Sequence, residues 1–216
     1  MPQRRDARQR LRDIEWALQQ QLEPRELVRM LEKLLAEAAP GSTEESFATL
    51  KLAELLVATE PWRAAVLAKR SLVAGERAHA WAVLGLAQSA LGHFRASIRA
   101  YRRALLLVPE NPWYCHNLGH LLDVAFNRPS DALVYLERAY AGQPAEPEIA
   151  SSLAHALART GQVERARVLL TRATGSDQMA RDWLERWRAP RRSPMDEASN
   201  SRFDSVGPSI RNPSRG

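Results

Sequence analysis

A pattern recurring about every 34 residues limits what this chain can fold into more than anything else in it. Residues 78–111, AHAWAVLGLAQSALGHFRASIRAYRRALLLVPEN, read as two amphipathic helices joined at Gly92 and stopped at Pro109. Apolar residues recur three and four apart in each half, the spacing of one helical face. The frame returns downstream at Leu118, Gly119, Ala132, Leu136, Ala139 and Pro144, with one extra residue expected in the turn Asn127–Ser130. It returns again at Leu153, Ala154, Gly161, Val163, Ala166, Leu170 and Ala173. Upstream, residues 47–58 and 61–73 make a degenerate pair, opened by a capping box at Ser42 and Glu45. A two-helix unit cannot bury its apolar face alone, so such a chain folds by stacking each pair on the next.

The marks in the best copy are Trp81, Leu84 and Gly85 in the first helix and Phe94, Ile98, Tyr101 and Ala104 in the second, followed by Pro109. In this arrangement small residues such as Gly85 and Ala104 let helices approach closely, and large ones such as Trp81 and Tyr101 fill the space between pairs. From about residue 43 to 175 the chain resembles the tetratricopeptide-repeat family. The resemblance implies an all-α fold, a right-handed α-solenoid of tetratricopeptide-type helical hairpins with a C-terminal capping helix. Residues 1–42 are expected to form an N-terminal hairpin, with Leu11, Ile14, Leu18 and Leu22 on one helix and Leu27, Met30, Leu31, Leu34 and Leu35 on the next. Residues 43–175 hold about four repeats. Residues 176–189 supply the cap, with Met179, Ala180, Trp183, Leu184 and Trp187 on one stripe, and 190–216, rich in Ser, Pro and Arg, are expected to be a disordered basic tail.

Composition removes several classes of function. Cys115 is the single cysteine among 216 residues, which excludes an intrachain disulfide framework. The basic start, Met1 to Arg12, is not followed by the apolar core of a signal peptide, and no run of about 18 apolar residues is present, so a cytoplasmic location is expected. Net charge is +6 with a pI of about 10.1. Read along the chain, the basic character belongs to the ends, at Arg4, Arg5, Arg8, Arg10 and Arg12 and again at Arg191, Arg192, Arg202, Arg211 and Arg215. The preference for Arg over Lys, beside abundant Ala and Leu, is that of a GC-rich bacterial genome. Neither a phosphate-cradling glycine loop nor a dinucleotide fingerprint is present, and neither an enzyme nor a cofactor is expected.

In tetratricopeptide folds the first helix of each pair lines a concave groove. By that resemblance the residues looking into it are His79, Ala82, Leu86, Ser89 and Ala90, then Trp113, His116, His120, Asp123 and Val124, then Glu148, Ser151, His155, Ala158 and Arg159. Trp113 is the expected aromatic anchor for a partner segment, with His116, Asn117 and His120 as polar contacts, and His79, Leu86, Asp123, Ser151, His155 and Arg159 complete the set. Cys115 falls at a packed position.

His116 and His120, four apart, with His155 on the next repeat and Asp123 one turn on, are also candidates for a metal, although the H-E-x-x-H pattern is unmatched. Ser151 or Ser152 beside His155 lacks an orienting third group and an oxyanion donor. The carboxylate clamp of the family's co-chaperones is absent, since Ala82, Leu86, Glu148 and Ser152 stand where its Lys, Asn and Arg belong and only Asn117 matches. The expectation is a non-catalytic scaffold that binds a protein or peptide segment, with self-association left open and neither nucleic acid nor membrane as partner. The alternatives are a nucleic-acid or anionic-membrane adaptor working through the Arg-rich termini, and a metal-binding repeat protein.

Overall fold

The computed structural model of the protein describes residues 2–73, 75 and 77–188, with side chains over 7–73, 75 and 77–187. The basic tail expected at 190–216 lies outside the described residues. Among them there are eleven α-helices and no strand: α1 (Pro2–Gln19), α2 (Pro24–Glu37), α3 (Thr43–Leu56), α4 (Pro61–Val73), α5 (Ala78–Ala90), α6 (Phe94–Leu107), α7 (Pro112–His120), α8 (Pro129–Gly142), α9 (Pro147–Arg159), α10 (Val163–Thr174) and α11 (Asp177–Arg188). Proline opens α2, α7, α8 and α9, where its fixed φ suits the first turn and its missing N–H costs nothing. Ser42 caps α3 by accepting from Glu45 N at 3.1 Å, and the Glu45 carboxylate turns back to accept from Gly41 N, one residue short of the expected reciprocal bond. Asn111 caps α7 in the same way, accepting from Tyr114 N.

The helices form two compact units, Met1–Pro109 and Glu110–Gly216. In the first, alanines on α3, α4 and α5 are fully buried, among them Ala48, Ala53, Ala64, Ala68, Ala80 and Ala87, and this lack of bulk is what lets neighbouring helices come close. Gly85 of α5 faces the ring of Tyr101 on α6, where a Cβ would sit 3.0 Å from Cε2. Ser97 Oγ donates to the Gly85 carbonyl at 2.6 Å, wholly buried, and so fixes the crossing of the pair. Arg10 joins α1 to α2 through a two-pronged bond to Glu37 at 2.7 and 2.9 Å. Ile14 is the fully buried member of the stripe expected on α1; Leu11 and Leu18 are half-buried.

In the second unit α7 and α8 touch as α5 and α6 do. A Cβ on Gly119 would lie 2.7 Å from Leu136 Cγ and 3.2 Å from the Ala132 carbonyl oxygen. Cys115 is buried beside this contact, and burial pushes its thiol up from the ordinary range. At the C-terminal end Ala180 and Leu184 of α11 are buried, Trp183 and Trp187 are half-buried, and Met179, expected on the same stripe, is exposed.

The extra residue of the second repeat is housed differently from expectation. Gly92 and Gly161 take positive φ in their turns, +73° and +83°, and the residue that does so in the second repeat is Asn127 at +54°. The surplus therefore enters before the turn, not within Asn127–Ser130. It widens the end of α7 into a π-helical turn, Leu121–Ala125, in which Phe126 N donates to the Leu121 carbonyl at 3.1 Å across five residues. Arg128 N then reaches the Leu122 carbonyl at 2.8 Å and closes the helix.

Candidate functional site

Within the second unit the first helices α7 and α9 face one another through polar side chains. His116 is 2% exposed; its Nε2 lies 3.0 Å from Ser152 Oγ, and its Nδ1 has no hydrogen-bond partner. His120 is half-buried one turn on, its ring centroid 6.0 Å from that of His116 and its Nδ1 3.5 Å from the same Ser152 oxygen. Burial holds His116 down at about 4, with the neighbouring His120 adding to the effect and the nearby Asn117 opposing it. Burial also lowers His120, partly offset by Asp123. Both imidazoles are thus neutral near pH 7, and such rings can share a hydroxyl without repelling each other.

The π turn carries Asp123, whose side chain is 2% exposed. One carboxylate oxygen accepts from His155 Nδ1 at 2.5 Å and the other from Arg159 Nη1 at 2.6 Å. The same guanidinium donates to the Asp123 backbone carbonyl at 2.8 Å and reaches the Asn127 side chain. The wide turn therefore gives Asp123 two acceptor sites for one arginine, and α9 is bound to the end of α7. His155 in turn meets the edge of Trp187 at 5.0 Å between centroids, near-perpendicular, and Trp187 meets Trp183 likewise at 5.7 Å. At the other end the Trp113 ring stands edge-on to His116 at 5.9 Å.

The structure brings together His116, His120, Asp123, His155 and Arg159 from the expected set. Of the remaining expected residues in this unit, Trp113 is 9% exposed and Asn117 8%, with the Asn117 side-chain oxygen unpartnered, while Ser151 is half-buried on α9. His79 and Leu86 belong to the first unit. There His79 Nε2 is 2.5 Å from Glu54 Oε1, Lys51 holds the same carboxylate at 2.9 Å, and Leu86 is 3% exposed in the core. Glu54 is most affected by desolvation, which raises it, yet the hydrogen bond and charge of His79 with the charge of Lys51 hold it below its ordinary value.

Ser152 and Trp187 were not singled out for this site. Ser152 lies next to an expected groove position, and Trp187 falls on the apolar stripe of the cap. The spacing from His155 to Trp187 spans a turn and a helix that no periodicity rule connects. Among the described residues no group of three or more His, Cys, Asp or Glu side chains is arranged to hold a metal ion. A separate cleft of 770 Å³ opens between α8 and α10, with Leu153, Leu157, Tyr140 and Val168 among its walls.

A family model of the tetratricopeptide repeat matches residues 123–185, which take in Asp123, α8, α9, α10 and most of α11. That stretch carries tetratricopeptide repeat sequence. It is similar to the protein FlbA of Caulobacter vibrioides, 32% identical over 98 residues; the match covers 45% of this chain and spans 16% of FlbA. Among solved structures it is similar to PilF of Pseudomonas aeruginosa, with a TM-score of 0.65 at 17% identity, covering 87% of this chain and 90% of that one. A MamA structure from Desulfovibrio magneticus RS-1 gives a TM-score of 0.65 at 14% identity, covering 85% and 97%. At such identities the likeness is one of fold. The all-α, right-handed tetratricopeptide solenoid with a C-terminal capping helix that the sequence led us to expect is the fold of this protein.

Proposed function

We propose that the protein is a non-catalytic, cytoplasmic scaffold whose second unit takes a segment of a partner protein along the first-helix face of α7, α9 and α11. The observation that carries this reading is the fixed row of half-buried polar and aromatic side chains there, His120, Ser151, His155 and Trp187. The buried Asp123 orients His155 through a 2.5 Å bond and ties Arg159 to the same turn. Preorganised groups of this kind bind without the entropy cost of ordering them on contact. In this reading His120, Ser151, His155 and Trp187 touch the partner, and Trp113, His116, Asn117, Asp123 and Arg159 support them or are reached once the segment is seated. In the first unit His79 offers a half-buried polar side chain of its own, while Leu86 packs in the core. Proteins of this repeat fold generally bind other proteins, which supports the reading.

The test is site-specific crosslinking in cells. A photoreactive residue at Ser151 should yield one dominant protein adduct, and Trp187→Ala in the same chain should reduce it at least tenfold, as removal of an aromatic hot spot of about 2 kcal/mol or more would. The same probe at Val134 on α8, which is 58% exposed, should not give that adduct. Equal adducts from both positions would remove the groove from the account.

A further inference from the structure

The charge of the chain is not confined to its ends. Residues 61–109 contain eight Arg or Lys against one acidic residue, Glu76, and neither α4 nor α6 holds any Asp or Glu. These are the second helices of two successive pairs, and each packs on α5. Along α4, Trp62, Val66, Lys69 and Val73 follow one another at steps of four, three and four; along α6, Arg95, Arg99, Arg102 and Leu106 do the same. Both sets begin at the second residue of their helix, so the two helices expose equivalent positions. Every one of these side chains is exposed: Trp62 is 70% exposed, Val73 90% and Leu106 71%.

The cations in the two stripes are uncommitted. Arg63 is bound to Glu32 and Glu60, and Arg70 to Glu45, but Lys69, Arg95, Arg99 and Arg102 make no ion pair among the described residues. Each repeat of such a stack packs on its neighbours, and here α4 and α6 both pack on α5. An exposed tryptophan and aliphatic residues on α4, and a row of guanidinium groups on α6 that make no ion pair among the described residues, therefore occupy equivalent positions of successive second helices.

We propose that this face of the first unit, α4 with α6, binds the surface of a bilayer containing anionic phospholipids. Guanidinium and ammonium groups attract the headgroup phosphates, while Trp62 suits the headgroup level and Val73 and Leu106 enter the boundary beneath it. The aliphatic members favour lipid over nucleic acid, because a phosphate–sugar backbone offers Val73 and Leu106 nothing to bury against. No described helix is long and apolar enough to cross a membrane, so the contact is one of lying on the surface.

The experiment is co-sedimentation of the full chain with phosphatidylcholine vesicles containing 30 mol% phosphatidylglycerol, against pure phosphatidylcholine. Binding to the first and not the second is expected, weakening as salt rises. The triple variant Arg95→Ala, Arg99→Ala, Arg102→Ala should lose about fivefold in partitioning for each cation, about a hundredfold in all. The corresponding triple Arg→Lys variant should retain binding, and both should keep the wild-type circular dichroism and Tm because the positions are exposed. Trp62→Ala should weaken binding severalfold without changing its salt dependence. Absence of sedimentation with the anionic vesicles overturns the proposal. So does undiminished binding by the triple Ala variant when Arg191→Ala with Arg192→Ala abolishes it, which would return the interaction to the chain end. Binding of a 20-nucleotide RNA or DNA duplex that depends on the same three arginines, with vesicles ignored, would overturn it in favour of a nucleic-acid surface.

Discussion

The two units put a histidine to opposite uses on the same kind of helix. In the first, His79 shares Glu54 with Lys51 in a group that stays partly open to water, with His79 27% and Glu54 14% exposed. In the second, His116 is buried as a neutral ring beside Ser152, and Asp123, on the π turn that follows, is buried and held from two sides. A partly solvated pair with a second cation at hand is more easily replaced than a fully buried charge with defined partners. The lesson is that histidines expected on one groove face do not carry equivalent energies.

The largest effect is expected from Arg159→Ala. It leaves Asp123 buried without one of its two side-chain partners, and unfolding monitored by denaturant should show a loss of about 3 to 5 kcal/mol. His79→Ala should cost about 1 kcal/mol or less, since Lys51 still holds Glu54. If the two variants lose the same stability, the contrast between the units is geometric only.

Acid should separate them next. The folded value of His116 lies at about 4, below its ordinary 6.5. Between these values the unfolded chain binds the extra proton, so this contribution is complete above pH 6.5 and is lost as pH falls toward 4. The loss is on the order of 3 kcal/mol. Glu54, lowered below 4.5, contributes stability that is complete above 4.5 and goes only as pH falls through its folded value. Hydrogen exchange followed from pH 7 downward should therefore show α7 and α9 opening before α3 and α5. His116→Asn should flatten the upper window and leave the lower one unchanged.

The smallest contrast is between the two helix-contact glycines. Gly119→Ala sets a methyl against the branch carbon of Leu136 and a backbone oxygen, with no flexible end to give way, and should cost about 1 to 3 kcal/mol. Gly85→Ala meets the buried ring of Tyr101 at 3.0 Å, a looser contact than the 2.7 Å at Gly119, and should cost less, about 1 kcal/mol. Thermal melts of the two variants side by side would settle the order.

Much of this was legible because helices write themselves at short range. Gly92, Pro109 and Gly161 mark turns through their own backbone preferences, and Gly119 announces a close contact by lacking a side chain. Four residues of the expected face, His116, His120, His155 and Asp123, come together because repeat register carries a position from one helix to the next. What spacing could not supply was the partner of each group. Ser152 reaches back to His116 across 36 residues, and Trp187 arrives on His155 from the capping helix. The basic stripe on α6 is hidden in the sequence for a different reason. Its arginines are diluted among Ala and Leu in the linear order and line up only when wound at 3.6 residues per turn.

The π turn at Leu121–Ala125 has a consequence for how such a chain can vary. A surplus residue in a regular helix would rotate everything beyond it by about 100° and carry the apolar stripe away from its neighbour. Here one enlarged ring of hydrogen bonds takes up that rotation locally, and Asn127 still turns the chain where Gly92 and Gly161 do. The repeat is thereby measured in angle instead of residues, and a length change that would be ruinous in the middle of α5 can be absorbed at this one point while the pairs on either side keep their phase.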